Sequence, residues 1–195
     1  EVCSSDLEIV MVKEPELEFD EIGYWSEIKL SIVKKYAKSY SSIMNKQRES
    51  RCRIRYYYID AFSGAGKHIS DSTGEYVDGS PIIALETRPE FDGYHFIDLN
   101  SLKADELRRI VGENPKVNIY NGDCNVLMIN EILPNIQFNK YTRALCLLDP
   151  YGLHLDWKVI QMAGQSAAVD MFLNFPVMDI NRNALWKTPE NVSEW

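Results

Sequence analysis

Four carboxylates of this chain stand at or just after short hydrophobic runs of the kind that form buried strands: Asp60, Asp98, Asp123 and Asp149. In an open parallel sheet the carboxyl ends of the strands meet at one edge, where nucleoside ligands bind. Carboxylates accept hydrogen bonds from ribose hydroxyls and from amino groups. The order of these residues therefore predicts one site for a nucleoside cofactor at that edge.

The first run leads into a glycine turn, Asp60-Ala-Phe-Ser-Gly-Ala-Gly66, in which Asp60, Phe62, Gly64 and Gly66 are candidate cofactor contacts. Glycines let the backbone turn sharply and approach a ligand without an intervening Cβ. We expect the turn to meet the carboxylate-bearing tail and ribose of S-adenosylmethionine; the alternative is an ordinary strand-to-loop turn. A polar stretch, 67–79, delays the next helix, which disfavours a pyrophosphate on a helix N-terminus and hence NAD or FAD.

Asp98 and Asp123 follow the second and third predicted strands and are also candidate cofactor contacts. Asp98 is placed to receive both ribose hydroxyls of an adenosine ligand. Its alternative role is local capping, although Asn100 and Ser101 can already cap the next helix. Asp123 is suited to accept a hydrogen bond from the adenine amino group, with a helix N-cap as the alternative.

The segment Asp149-Pro-Tyr-Gly152 contains the candidate catalytic residues, Asp149 and Tyr151. In amino-methylating enzymes an Asp or Asn, followed by prolines and an aromatic, accepts hydrogen bonds from the target amine while the ring stacks on a base swung out of its helix. Here Tyr151 falls one place earlier than in Asp-Pro-Pro-Tyr, so base methylation is a hypothesis. The alternative is a proline-terminated strand with a structural tyrosine.

Asn174, Pro176 and Arg182 are the candidate substrate contacts, because they follow the fifth predicted strand beside the Asp149 segment. They could close the pocket, or Arg182 could bind an anionic substrate; a satisfied buried loop is the alternative. His68 and His154 lie in predicted loops near the strand ends and could move protons. The bland alternative is that both histidines are simply exposed.

Hydrophobic periodicity predicts the elements that position these residues. Apolar residues recur at three- and four-residue steps from Trp25 to about Asn45, which indicates an amphipathic helix. Ser80 before Pro81 predicts a helix start with Ser80 as N-cap. The predicted strands are 55–60, 94–98, 116–120, 144–148 and 167–173. Of the four later helices, the first begins at Ser80, the second spans 101–111, the third ends near Leu133 and the fourth spans 157–164. This alternation predicts an α/β fold with a doubly wound, mainly parallel sheet.

The bulk composition fits one globular unit with an N-terminal extension, since 195 residues suffice for one sizeable core. No segment is apolar over a length that could span a bilayer, and no leader-like pattern opens the chain, so we expect a cytoplasmic protein without membrane partners. The four cysteines are scattered, without metal-ligand spacing, which predicts reduced thiols and no metal site. They are Cys3, Cys52, Cys124 and Cys146.

Charge is unevenly distributed along the chain. The net charge of −8 argues against a nucleic-acid surface over the whole molecule. Residues 29–55, however, contain nine basic residues and one acidic residue, whereas residues 1–28 contain one basic and nine acidic residues. The basic segment could bind nucleic acid; the alternative is a solvated helix face and loop.

As a set, these motifs resemble the three-Cys-motif partner proteins. The resemblance covers roughly residues 22–190, although the family often has proline where Ala65 stands. It implies a bacterial or archaeal protein with a methyltransferase-like Rossmann core and a role beside a cysteine-bearing companion protein. Six pocket candidates carry over: Asp60, Gly64, Gly66, Asp98, Asp149 and Tyr151. The matching segments are Tyr24–Lys29 with Lys35 and Tyr36, Tyr58–Gly64, Gly79–Leu85, Leu148–Gly152, Asn174–Pro176 and Arg182 with Asn183.

The predicted organisation is an acidic arm with an amphipathic helix over 1–55, followed by an S-adenosylmethionine-methyltransferase-like Rossmann domain over 56–195. Sheets of this kind usually finish with two further strands, so we expect the sequence to be truncated at its C-terminal end. The leading hypothesis is an S-adenosylmethionine-dependent methyltransferase acting on nucleic acid or a protein partner. The alternatives are a non-catalytic binding partner with a degenerate methyltransferase fold, and a nuclease using Asp60, Asp98 and Asp149 around Mg²⁺.

Overall fold

A computed structural model describes residues 19–50, 53–150, 152, 154–175 and 177. Its main feature is an α/β layer structure built on a five-stranded sheet, accompanied by a small three-stranded sheet. In chain order the elements are β1 (Glu21–Ile22), α1 (Tyr24–Ser50), β2 (Arg55–Asp60), β3 (Lys67–Ser70), β4 (Tyr76–Asp78), α2 (Ser80–Glu86), β5 (Gly93–Asp98), α3 (Ser101–Val111), β6 (Val117–Asn121), α4 (Cys124–Leu127), a π-helical turn (Met128–Ile132), two 3₁₀ turns (Leu133–Asn135 and Phe138–Lys140), β7 (Thr142–Leu148), α5 (Trp157–Gln165) and β8 (Val169–Leu173).

The five-stranded sheet has the order β6-β5-β2-β7-β8, and each neighbouring pair is parallel. β2 is the central strand, with Asp60 paired to Phe96 of β5 and to Leu147 of β7. The strand order reverses between β2 and β7, since the chain moves outward to β6 before it returns. This parallel sheet confirms the predicted α/β class with a Rossmann-like arrangement.

Alternate residues of the central strands face two separate cores, which shows that helices cover both sides of the sheet. Tyr56 and Tyr58 of β2 pack in one core with α1, α2 and α3, while Ile59 packs in the other with α4 and α5. In β7, Cys146 belongs to the second core and Leu147 to the first. The sheet is therefore doubly wound, as the alternation of strands and helices predicts.

Phe91 is the centre of an aromatic cluster in the first core and is completely buried. Its ring lies 5.4 Å from that of Tyr58, 5.6 Å from that of Tyr56 and 5.8 Å from that of Tyr94, all edge to face. Such pairs contribute roughly 0.5–1.5 kcal/mol each beyond the area that they bury. The aromatic run 56–58 thus anchors β2, the strand that leads into the glycine turn.

The polar stretch 67–79, for which the sequence predicts no regular element, contains the β3–β4 hairpin. β3 pairs antiparallel with β4 and parallel with β1, so the segment before α1 is joined to the chain that follows the glycine turn. A strand of two residues, such as β1, carries too little sequence to show periodicity. Its pairing can be seen only in three dimensions.

The start of α2 differs from the sequence prediction. Gly79, not Ser80, is the N-cap residue, and no side chain caps this end. Ser80 is the first helical residue and is buried beside Pro81. A Cβ at position 79 would lie 3.0 Å from the carbonyl oxygen of Gly66, so the close crossing of the two segments favours glycine at the cap.

The amphipathic helix α1 is longer than predicted and uses only part of its apolar surface for the core. Leu30, Val33, Ala37 and Tyr40 are buried against the sheet. The apolar positions that the periodicity counts include a second row that points to solvent. The exposed row consists of Trp25, Ile32, Tyr36 and Ile43.

Two remaining expectations concern cysteines and membranes. Cys124 and Cys146 are free thiols buried in the core. Cys3 and Cys52 lie outside the described residues.

Among the helices of the described ranges, none combines the length and the apolar character needed to cross a membrane.

Candidate functional site

A cavity of about 380 Å³ opens at the carboxyl ends of β2 and β7, where the strand order reverses. This is the position at which open α/β sheets bind ligands. The volume lies within the range of small-molecule pockets. We call this cavity the switch-point pocket; among its lining residues are Phe62, Ser63, Gly64, Asp149 and Asn174.

The glycine turn after β2 forms one wall of the switch-point pocket. Gly64 has a φ of +63°, in the left-handed region that glycine adopts at little cost. A Cβ at this position would meet no atom closer than 4.0 Å, so the backbone here is open to an approaching ligand. The Gly64 N–H donates a 2.8 Å hydrogen bond to Asp98 Oδ2, which ties the turn to the end of β5.

Gly66, predicted as a cofactor contact, does not line the pocket. Its φ is +86°, and a Cβ there would lie 2.7 Å from Leu107 Cδ1, on a fully buried side chain of α3. The residue therefore allows the chain to pass close to α3. The sequence prediction had no means of separating this packing role from ligand contact, because both require glycine.

Asp60 lies at the end of β2 and is completely buried. Its Oδ1 accepts a 3.2 Å hydrogen bond from the Phe62 N–H, whereas Oδ2 has no hydrogen-bond partner in the described part of the chain. Burial raises the pKa of Asp60 to about 7; the nearby Ser80 hydroxyl opposes this rise without forming a hydrogen bond to Oδ2. The adjacent Ser63 hydroxyl is also buried and unpaired among the described residues.

Asp98 organises the loop at the end of β5. Besides the bond from Gly64, its Oδ1 accepts a 2.8 Å bond from the Asn100 N–H. The cap of α3 is Asn100, whose side chain accepts from Leu102 N at 2.9 Å, as the sequence predicts. Asp98 does not line the pocket, but it stands directly behind the turn.

Asp123 is placed farther along the same edge, after β6, and is exposed. Its Oδ1 accepts a 2.7 Å hydrogen bond from the Asn125 N–H and caps α4. The N-cap alternative for this residue is therefore observed. Asp123 does not line the switch-point pocket, and any contact with a cofactor would require the ligand to extend from β2 toward β6.

Asp149, which follows β7, is held inside the pocket through both of its oxygens. Oδ2 accepts a hydrogen bond from Lys29 Nζ within an ion pair, and Oδ1 accepts a 2.7 Å bond from Asn174 Nδ2. The Asn174 N–H also bonds Leu148 O at 2.8 Å, so the ends of β7 and β8 are joined. The predicted neighbours Asp149 and Asn174 thus come together, and Lys29 is an addition that the sequence prediction missed.

The segment before α1 and the first residues of α1 form another wall of the switch-point pocket. Asp20 and Ile22 line the pocket with Ser26 and Lys29. Two contacts fasten this wall: Lys103 pairs with Asp20 at 2.6 Å, and the Ser70 hydroxyl donates to Glu27 at 2.6 Å. Asp20 and Glu27 therefore have structural partners, which charge counts along the sequence do not reveal.

His68 lies on β3 and lines the pocket. Burial lowers its pKa, so the neutral imidazole is favoured, and its buried Nδ1 makes no hydrogen bond within the described ranges. The loop prediction for His68 is wrong, since it belongs to the β3–β4 hairpin. His154 is exposed, as the alternative to a proton-transfer role predicts. Its backbone oxygen accepts a 3.0 Å hydrogen bond from Asn125 Nδ2.

Three predicted site residues, Tyr151, Pro176 and Arg182, lie outside the described residues. In the part of the chain that is described, no group of three or more His, Cys, Asp or Glu side chains is arranged to hold a metal ion. Asp60, Asp98 and Asp149, which the nuclease hypothesis places around Mg²⁺, therefore do not form such a group.

The basic segment 29–55 divides into paired and unpaired charges. Lys29 pairs with Asp149, and Arg48 pairs with Asp92 at 3.0 Å while it lies over the Tyr56 ring. The remaining lysines of α1 are exposed and form no ion pair with another described residue. They are Lys34, Lys35, Lys38 and Lys46.

Comparisons with known proteins give a fold relationship alone. No family model matches this chain, and no curated protein is similar to it in sequence. A crystal structure of a Legionella pneumophila protein assigned to the family model DUF519 is similar, with a TM-score of 0.52 and 14% sequence identity. The similarity covers 85% of this chain and 73% of that protein, and it supports the Rossmann-like arrangement.

Proposed function

We propose that this protein is an S-adenosylmethionine-dependent methyltransferase with a methyltransferase-like Rossmann core, acting on an amino group of nucleic acid or a protein partner. One observation carries the proposal: the switch-point pocket brings the open glycine turn after β2 into the same cavity as the Asp149–Asn174 pair after β7 and β8. The first feature suits a nucleoside cofactor, and the second suits an acceptor amine.

The residues around the turn fit such a cofactor. Buried polar atoms normally have hydrogen-bond partners, so the unpaired Ser63 Oγ, which lines the pocket, is suited to a donor or acceptor that a ligand supplies. Asp60 Oδ2 is completely buried and does not line the pocket. Asp98 uses one lone pair on each oxygen for the Gly64 and Asn100 N–H groups, and each oxygen retains acceptor capacity for a ribose hydroxyl. When bound, S-adenosylmethionine supplies an activated methyl group.

Asp149 would orient the acceptor nitrogen in this proposal. Its Oδ2 now accepts from the amine of Lys29, which shows that an amino group fits at this point of the pocket. The acceptor amine would replace Lys29 on Oδ2, while Asn174 keeps the carboxylate in position through Oδ1. Methyl transfer depends mainly on aligning the reactants and excluding water, so no further catalytic group is required.

A non-catalytic partner protein is the second candidate, and the Lys29–Asp149 contact is the observation that favours it. Both oxygens of Asp149 already accept hydrogen bonds from within the chain, so this carboxylate does not need a donor from a substrate. The resemblance to the three-Cys-motif partner proteins supports the same candidate through a companion protein. The metal-dependent nuclease is not adopted, because its three carboxylates do not assemble among the described residues.

Calorimetric titration with S-adenosylmethionine and S-adenosylhomocysteine tests the proposal. We expect binding by the wild-type chain that weakens about tenfold or more in Asp98→Ala, which removes a charged acceptor. Asp105→Ala is the matched control, because Asp105 is an exposed carboxylate of α3 away from the turn. Unfolding midpoints of the three proteins establish that each is folded.

Binding that is lost in Asp98→Ala and kept in Asp105→Ala supports the cofactor pocket. Absence of binding by a folded wild-type chain contradicts the methyltransferase proposal and favours the partner protein.

A further inference from the structure

A second cavity, of about 480 Å³, lies between α1 and the last strand of the sheet. We call it the α1–β8 groove. Five of its lining side chains are apolar and come from both elements: Trp25, Ile28, Ile32, Phe172 and Leu173. Trp25 is 78% exposed, so the groove presents a flat aromatic surface to solvent.

The α1–β8 groove adjoins the switch-point pocket. Ser26, Lys29 and Asn174 line both cavities and therefore form the boundary between them. Two of these three residues, Lys29 and Asn174, are the side chains that donate to Asp149. Lys29 therefore stands at the boundary of the groove and contacts Asp149.

The apolar row on α1 is not accounted for by the core. Ile32 and Tyr36 are exposed, and the Tyr36 ring lies 6.1 Å from that of Phe172 on β8. Within the described ranges β8 pairs with β7 alone, so it is the edge of the sheet on this side. An exposed apolar surface of this kind marks a binding region.

Positive charge lies on the same helix. Lys35 follows Ile32 by three residues and so stands one turn farther along the helix. Lys35 is exposed and makes no ion pair with any residue that the structure describes, whereas Lys34 and Lys38 lie roughly 120–160° farther round the helix from Ile32. In a chain of net charge −8, Lys35 therefore gives this edge of the groove a local positive charge.

We propose that the α1–β8 groove binds an unpaired nucleobase of a single-stranded nucleic acid, with Trp25 as the stacking surface and Lys35 as a phosphate contact. This inference rests on the proposed function and names the substrate class for the same site. A nucleobase supplies both features that the two cavities require, a flat face for the groove and an exocyclic amine for Asp149. Its phosphate supplies an anion with which Lys35 can pair.

The test is fluorescence anisotropy with a labelled single-stranded oligodeoxyadenylate of about twelve nucleotides, a length within the range that such grooves bind. We expect Trp25→Ala to weaken binding about tenfold, since a stacked base is lost. Trp157→Ala is the matched control, because Trp157 is 73% exposed on α5 and does not line the groove. It should bind the oligonucleotide as the wild type does.

Charge reversal at Lys35 tests the phosphate contact separately. In a plot of log K against log salt, the Lys35→Glu variant should lose a slope of about 0.7, the value for one phosphate contact on a single strand. Lys158→Glu on the exposed face of α5 is the control and should keep the wild-type slope.

Failure of the wild type to bind the oligonucleotide, or equal losses in Trp25→Ala and Trp157→Ala, overturns the inference. Cofactor titration of the same proteins keeps the two proposals separate. Cofactor binding without oligonucleotide binding rejects the groove alone. Oligonucleotide binding that depends on Trp25, without cofactor binding, rejects the methyltransferase proposal and keeps the groove.

Discussion

Lys29 and Asp149, 120 residues apart in the chain, form an ion pair inside the switch-point pocket. Both side chains are less than one-third exposed, at 28% and 27%. We expect a double-mutant cycle of Lys29→Ala and Asp149→Ala to give a coupling energy of about 1–2 kcal/mol, between the values for exposed pairs and for buried charged hydrogen bonds. Urea unfolding of the four proteins measures it.

The Arg108–Asp105 pair is the control for that cycle. It is an exposed pair at i,i+3 on α3, and we expect a coupling energy of about 0.3 kcal/mol. Equal coupling energies for the two pairs would contradict the view that the pocket strengthens the Lys29–Asp149 contact.

Burial of Asp60 predicts a pH dependence of stability. The pKa of this carboxyl rises from 3.8 to about 7 on folding, so the unfolded chain releases its proton first and unfolding becomes more favourable as pH increases through this window. This difference in pKa corresponds to on the order of 4 kcal/mol of unfolding free energy. The stabilisation is present below the pKa of the unfolded chain and is lost above the pKa of the folded protein. Asp60→Asn should flatten the fall in unfolding free energy between about pH 4 and pH 7.

Urea unfolding at several pH values checks this, with Asp105→Asn as the control. Asp105 carries an exposed carboxylate, 69% accessible, so its substitution should keep the wild-type pH slope. A wild-type slope in Asp60→Asn would show that Asp60 does not titrate in this window.

Alanine substitutions at three glycines with positive φ distinguish the cost of a strained backbone from the cost of a steric clash. Gly74 and Gly64 have room for a Cβ, so alanine at either should cost about 1–2 kcal/mol from the left-handed backbone alone. Gly66→Ala should cost roughly 1–3 kcal/mol more, because its Cβ would meet the buried Leu107 side chain. Thermal or urea unfolding ranks the three; a cost at Gly66 no larger than that at Gly74 would refute the packing role.

Under the proposed function, removal of the Asp149 carboxylate should affect methyl transfer and leave cofactor binding nearly unchanged. Asp149→Ala should abolish methyl transfer, because the acceptor amine loses its hydrogen-bond acceptor, while cofactor affinity stays within about threefold of wild type. Radiolabelled methyl transfer to nucleic-acid and protein pools, with calorimetry in parallel, measures the two effects. Retained transfer would remove Asp149 from the catalytic role.

The sheet could be predicted from sequence because its strands carry strong local signals. The aromatic run before Asp60 and the apolar run before Asp149 each end at a polar residue, and both strands lie where these patterns indicate. The meeting of Asp149 with Asn174 also follows from strand order, since the two strand ends are neighbours in the sheet.

The rest of the site depends on contacts between distant parts of the chain. Lys29 belongs to a helix whose basic residues look alike in sequence, and only the placement of α1 over the sheet selects it as the partner of Asp149. Gly66 shows the opposite problem, because a motif glycine that suits ligand contact is used for packing against Leu107. Local sequence patterns reveal neither the partner of Asp149 nor the packing role of Gly66.

The walls of the switch-point pocket come from segments that extend from Asp20 to Asn174. During synthesis the central strand and its first neighbour emerge well before β8, so the early part of the sheet can form while the pocket is still incomplete. Contacts of such large sequence separation are costly to close and form late. A ligand of this pocket therefore does not guide the early steps of folding and stabilises only the finished chain.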